Sequence, residues 1–217
     1  MEDYFNTYWN LRLNRCKKAL ENNNFEVFLA DSPDDARYIF LDEIFPKTAV
    51  KSVSWGDSMS LYATGILEVM KQNPDLDVIE TFDNTVPREE IIERRRQALL
   101  VDLFFTGTNA VTQDGMLVNL DMVGNRVGAI TFGPRYVVIV AGRNKIVSDL
   151  DEAMTRIKNI AAPINAIRHR IKTPCVKTAV CMDCKSPDRI CNTWTITEKS
   201  YPKGRIKILL INRDLGL

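Results

Sequence analysis

Tyr136 to Ala141 form an unbroken apolar run dominated by β-branched side chains, ending at Gly142-Arg143. A strand with one wet face alternates apolar and polar residues. A strand without alternation is covered on both faces, as in a parallel sheet flanked by helices. Whatever this chain folds into must therefore supply helices for both sides of a sheet.

The remaining periodicities supply them. Met1 to Asn24 reads as an amphipathic helix with Phe5, Trp9, Cys16 and Leu20 on one face. Phe25 to Ala30 reads as a strand. Ser32-Pro33-Asp34-Asp35 then carries a helix start, with a capping serine, proline at the first position and acids in the first turn. That helix should end near Pro46. Extended segments follow at Ala49 to Ser54, Leu76 to Thr81, Val101 to Phe105 and Ile206 to Ile211. Helical ones fall at Met59 to Lys71, Pro87 to Leu99 and Asp149 to Ile160. Alternation of this kind predicts an α/β fold: a mainly parallel, Rossmann-like sheet flanked by helices. At 217 residues and 45% hydrophobic, residues 1–217 can bury one core as a single domain, with a cysteine-rich loop at 173–192.

Charge excludes several classes of function. With 29 basic against 28 acidic residues, no electrostatic footprint for nucleic acid is present. Arg94-Arg95-Arg96 is the densest basic run, but Glu89, Glu90 and Glu93 precede it on one helix, which reads as a solvated, ion-paired face. No apolar run approaches the roughly 20 residues that span a bilayer, and no signal core follows the N-terminus. The expectation is a soluble cytoplasmic protein.

In parallel sheets ligands sit beyond the carboxyl ends of the strands. Two loops there have the chemistry to hold one. Gly56, Asp57 and Ser58 precede a helix and could cradle an anion, or could simply cap that helix. Between Thr106 and Lys145 the chain places Gly107, Thr108, Asn109, Asp114, Asn119, Asp121, Asn125 and Arg126, then Arg143, Asn144 and Lys145 directly after a strand. Turns need glycine and asparagine, but not so many donors and acceptors together with cations. No nucleotide-binding glycine fingerprint is present, and one histidine, His169, makes a histidine-based hydrolytic triad improbable. His169, in a basic helix, reads as solvated.

Cys175, Cys181, Cys184 and Cys191 follow a C-x5-C-x2-C-x6-C spacing, while Cys16 reads as a small core residue. A disulfide-bonded loop needs an oxidising compartment, so metal ligation is the leading reading in a reducing one. An iron–sulfur cluster, zinc and metal-free thiols all remain open, because neither paired zinc knuckles nor a ferredoxin-type run is present.

Several segments together resemble one known family. Val101 to Ala110, Asp114-Gly115, Asn119 through Val127, Phe132-Gly133-Pro134, Ala141 to Lys145 and Thr173-Pro174-Cys175 are similar to the LUD-domain lactate-utilisation proteins, especially a compact subgroup with a C-terminal cysteine cluster. The resemblance implies a fold similar to the phosphosugar isomerase and CoA-transferase group, whose members bind phosphosugars or acyl-CoA thioesters above the sheet. The CoA-transferases of that group use a glutamate nucleophile, and no glutamate is evident near Asp114-Gly115. Nor does the chain carry the paired cysteine runs of the electron-carrying iron–sulfur component in lactate oxidation.

Three functional readings follow. In the first, the chain is a component or partner of lactate or related organic-acid utilisation, acting beside iron–sulfur redox proteins. It would bind a small anionic metabolite through Arg126, Arg143 or Lys145, oriented by Asn109, Asn119 and Asn125, with the four cysteines holding iron–sulfur or zinc. In the second it is a non-redox enzyme or sensor for a phosphorylated or CoA-like ligand, with Asp114 or Asp121 as general base and the cysteines structural. The third is an assembly protein without catalysis.

Overall fold

The computed structural model describes residues 2–217. Its centre is a six-stranded sheet in which every neighbouring pair is parallel. The strands are β1 (Glu26–Ala30), β2 (Ser52–Trp55), β3 (Asp77–Ile79), β4 (Leu103–Gly107), β7 (Tyr136–Gly142) and β10 (Ile206–Ile211), in the order β1-β10-β7-β4-β2-β3. Strand β7 lies near the middle, and Val137 through Ala141 are fully buried. Val138 and Val140 pack on one side against Phe40, Leu61 and Phe105, whereas Val137, Ile139 and Ala141 pack on the other against Leu13, Cys16 and Leu20. Both faces are dry, as the missing alternation requires. Each such side chain contributes about 1.5–3 kcal/mol by burial, so the centre of the sheet carries much of the hydrophobic stabilisation.

The helices follow the local signals, with some departures. Helix α1 (Glu2–Asn22) buries Leu13, Cys16 and Leu20, but Phe5 near its start is exposed. Ser32 caps α2 (Pro33–Ile39) with its hydroxyl, and a wide turn and a tight one carry that helix on to Lys47. The helix expected over Met59 to Lys71 is broken into α3 (Met59–Tyr62) and α4 (Ile66–Gln72). Gly65 sits there at φ 68°, and the Thr64 hydroxyl donates to the Leu61 carbonyl at 2.7 Å, drawing the turn closed. Helix α5 (Arg88–Gln97) precedes β4. Asp149 caps α7 (Leu150–Arg156), and a wide turn at Ile157–Ala161 joins it to α8 (Ala162–Arg168), so the helical segment extends beyond Ile160.

The stretch expected to be polar loops contains more structure than anticipated. Strands β5 (Ala110–Thr112), β6 (Leu117–Asp121), β8 (Ile146–Val147) and β9 (Thr193–Thr197) form a second sheet of order β8-β5-β6-β9, with helix α6 (Asn125–Thr131) following β6. Ala110, Val118, Leu120 and Val147 pack against Ala153 and Ile157 of the α7 segment, with Cys191 and Trp194 alongside. The cysteine-rich segment, which contains the single turn α9 (Cys175–Thr178), leads into β9 at the edge of this second sheet. Among the described residues, no helix is long and apolar enough to cross a membrane.

Candidate functional site

The strand order places the site. Strand β3 follows β2 on one side, whereas β4, β7 and β10 step off on the other, so the loops leaving β2 and β4 diverge. Open parallel sheets have their ligand crevice at such a switch point. A cavity of about 400 Å³ lies there, lined by Asp57 and Ser58 after β2, Gly107, Thr108 and Asn109 at the end of β4, and Lys145 after β7. That size suits a small metabolite. Gly107 is required by close approach: a Cβ there would meet Ser58 Oγ at 2.5 Å. The Ser58 hydroxyl caps the single turn α3, accepting from the Leu61 amide at 3.3 Å, so this loop uses its serine locally.

Arg126, from the first turn of α6, is the hub of the cavity wall. Its guanidinium donates to Asn119 Oδ1 at 2.7 Å, Asn109 Oδ1 at 2.9 Å, the Leu120 carbonyl at 3.2 Å, the Gly107 carbonyl at 3.3 Å and Asp121 Oδ1 at 3.4 Å. Every donor nitrogen is engaged, which makes Arg126 a strut between β4 and β6 and leaves it little for a ligand. Asn109 and Asn119 serve the same lattice, since the Asn109 amide donates to Asn119 Oδ1 at 3.2 Å and the Leu120 amide to Asn109 Oδ1 at 3.0 Å.

Two other cations are differently placed. Lys145 is 5% exposed, and its ammonium donates to the Thr108 carbonyl at 3.0 Å. Among the described residues no carboxylate pairs with it. Burial, then the charges of Arg156 and Arg126, bring its pKa down to about 7. Arg156 is itself fixed, donating to the Asn109 carbonyl at 2.7 Å and the Asn144 carbonyl at 3.1 Å. Arg95 reaches the cavity from α5, and its Nε is buried with no hydrogen-bond partner among the described residues. Burial pushes its pKa down, against the attraction of Asp121 and Asp57. An unpaired guanidinium over a cavity is the arrangement that grips carboxylate or phosphate.

The opposite wall is closed by α8. Arg168 pairs with the Asp57 carboxylate through both terminal nitrogens, and His169 Nε2 lies 3.1 Å from Asp57 Oδ2. Burial pushes the Asp57 carboxyl up, but the hydrogen bonds and charge of Arg168, followed by those of His169, outweigh it and hold the group below its usual range. In total the cavity gathers Arg95, Arg126, Lys145 and Arg168 against Asp57 and Asp121, an excess of positive charge.

Comparison with the sequence expectations is mixed. Asp57, Ser58, Gly107, Thr108, Asn109, Asp121, Asn125, Arg126 and Lys145 line the cavity. Gly56 and Thr106 lie just beneath it, where a Cβ on Gly56 would be 3.0 Å from Thr106 Oγ1, and Asn119 is fully buried behind it. Asp114 lies elsewhere, in the β5–β6 turn, where it accepts from the Thr112 hydroxyl and Asn23 binds its carbonyl. Arg143 pairs with Asp214 at 2.9 Å and stands over the Trp9 ring at 5.1 Å, while Asn144 holds the amide of Leu215 at 3.0 Å. Sequence reasoning did not place Arg95, Arg168 or His169 at the cavity, although His169 is solvent-exposed as expected. Arg94 pairs with Glu90 and Asp83, and Arg96 with Glu93, as expected of a solvated face. Their neighbour Arg95 points the other way.

The four cysteines of the C-terminal segment line one small cavity of about 20 Å³, together with Lys158 and Arg189. Arg189 donates to the carbonyls of Cys184 at 2.6 Å and Cys191 at 2.8 Å, bracing the loop. Among the described residues no three histidine, cysteine or acidic side chains are gathered at ligating positions. Ala162, Ile190 and Cys191 line both cavities and form the partition between them.

A mainly parallel α/β sheet flanked by helices, with a polar cavity at its switch point, defines a Rossmann-like class of fold. The LUD domain family profile matches residues 13–211, and the chain belongs to that family. A crystal structure of a DUF162 family protein from Deinococcus radiodurans has the same fold at a TM-score of 0.51, with 12% identity over 94% of this chain and 98% of that one. No curated protein matches the chain.

Proposed function

We propose that the protein is a component of lactate or related organic-acid utilisation that binds a small anionic metabolite in the switch-point cavity, with a cysteine-ligated metal site next to it. One observation carries this reading: Arg95 and Lys145 face the cavity without a carboxylate partner, while the other cations there are spent on the protein. Lys145 is buried, so its uncompensated charge is costly, and an anionic ligand shared with the half-buried Arg95 offsets that cost. Family membership supplies the organic-acid context.

Four thiols around one cavity suit a soft metal. Zinc and an iron–sulfur cluster both fit this donor set, with Cys175, Cys181, Cys184 and Cys191 as ligands after side-chain rotation. A zinc there would fix the segment that carries the partition, and electrons would then pass through iron–sulfur partner proteins. The second reading is a non-redox enzyme or sensor of phosphorylated or CoA-like ligands whose cysteines are structural, and the cationic lining of the switch-point cavity suits a phosphate as well as a carboxylate.

Calorimetric titration of the full-length protein with lactate, pyruvate, glycolaldehyde phosphate and acetyl-CoA separates the two readings. Saturable binding of the carboxylates supports the first, binding of only the phosphorylated or CoA ligands supports the second, and binding of none overturns both. Zinc, iron and acid-labile sulfide measured on protein purified without oxygen test the metal site. Absence of all three overturns it.

A further inference from the structure

Lys145 is more than a charge at the cavity floor. Its ammonium has the Thr108 carbonyl as its hydrogen-bond partner, and the groups that face it are Arg126 from α6, Arg156 from α7 and the backbone of the C-terminal segment at Gly216. A lysine that served only to hold the fold would be expected to meet a carboxylate there. This one instead feels the charges of Arg126 and Arg156, both of which are bonded to the protein, and it lines a cavity large enough for a metabolite. Desolvation beside fixed cations is the environment that makes a lysine nucleophilic at neutral pH.

We propose that Lys145 forms an imine with the carbonyl group of a 2-oxo acid whose carboxylate is held by Arg95. This rests on the anion-binding reading of the cavity and names its ligand class and chemistry. In the step, the Nζ lone pair attacks the carbonyl carbon, forming the C–N bond as the carbonyl π bond opens and its oxygen gains a proton. The carbinolamine then loses that oxygen as water, with both amine protons given up in reaching the neutral imine. The sum is one amine and one carbonyl giving one imine and one water, so no oxidant or reductant is needed. In this proposal His169, held by Asp57 on the facing wall, passes a proton to the departing oxygen. Lowered lysine basicity, with the pKa near 7, leaves a large share of the amine free at neutral pH.

The experiment is reductive trapping. Full-length protein is incubated with pyruvate and sodium cyanoborohydride, and modified peptides are mapped by mass spectrometry. The expected result is one reduced pyruvyl group, on Lys145, at least ten-fold above any surface lysine, with a trapping rate that climbs through neutral pH. Lys145→Met and Lys145→Arg should abolish it, and circular dichroism checks that each variant is folded. If neither folds, the site of labelling in the native protein alone decides the matter. Labelling spread evenly over surface lysines, or none at Lys145 while calorimetry still detects pyruvate, overturns the imine and leaves the anion pocket standing. Absence of both binding and labelling overturns both. Labelling of Lys145 by glycolaldehyde phosphate but not by pyruvate overturns the 2-oxo acid assignment.

Discussion

Lys145 makes its environment measurable through stability. Its pKa falls from 10.5 to about 7 on folding because burial, Arg156 and Arg126 all disfavour the ammonium. Below about pH 7 both folded and unfolded chains carry the proton, and the full penalty is present. Between about 7 and 10.5 the unfolded chain binds one proton more, so raising the pH stabilises the fold, at most by about 1.4 kcal/mol per pH unit. In urea denaturation at pH 6, Lys145→Met should therefore be more stable than the parent, by on the order of 3 kcal/mol, and the gap should close by pH 10. A gap that stays constant with pH would show that the folded lysine titrates normally. At this scale the sequence exposed residue types but not their duties. Arg126 stood out as a cation among asparagines, yet its commitment to Asn109, Asn119 and two carbonyls depends on β4 and β6 lying side by side. Spacing along the chain carries no trace of that.

Helix α5 shows how much depends on the phase of an element. Arg94, Arg95 and Arg96 lie about 100° apart around the helix. Two of them meet acids on the solvent side, and the third is turned toward the cavity. Arg95→Gln should weaken pyruvate binding at least ten-fold in calorimetry, whereas Arg96→Gln should leave it unchanged, since exposed helix pairs contribute little. Equal effects of the two substitutions would mean that only net charge matters. The main sheet was legible in the sequence because a buried parallel strand has a one-dimensional signature, and β7 carries it plainly. The second sheet was not. Strands β5 and β8 are three and two residues long, and β6 pairs with β9, more than 70 positions away, so Leu117 to Asp121 read as part of a polar loop. Asn119 within β6 reinforced that reading, although its side chain is there to bind Arg126 and the Asn109 amide.

Over the whole molecule, the switch-point cavity and the cysteine segment are two sides of one wall. The chain leaves α8, loops through the cysteines and returns as β9 along β6, so Ile190 and Cys191 are pinned between the second sheet and the cavity. Cys181 and Cys184 line only the thiol cavity. Cys16 is fully buried on the inner face of α1, and burial raises its thiol pKa to about 12, which keeps it inert in the native state. Burial also raises the Cys191 thiol, so its alkylation is slow at the start. A ligand in the anion cavity should slow it further by closing one of the two routes to the sulfur, and by suppressing the openings that bare the wall. At 100 times its dissociation constant, a ligand that binds only the closed form stabilises it by about 2.7 kcal/mol, or nearly a hundred-fold in the open population. In the metal-free protein, pyruvate should therefore reduce the iodoacetamide rate at Cys191 several-fold or more and leave Cys181 nearly unchanged, as resolved by peptide mass spectrometry over time. Equal protection of both thiols would mean that the ligand tightens the whole segment. No protection at Cys191 would mean that the partition does not couple the two cavities.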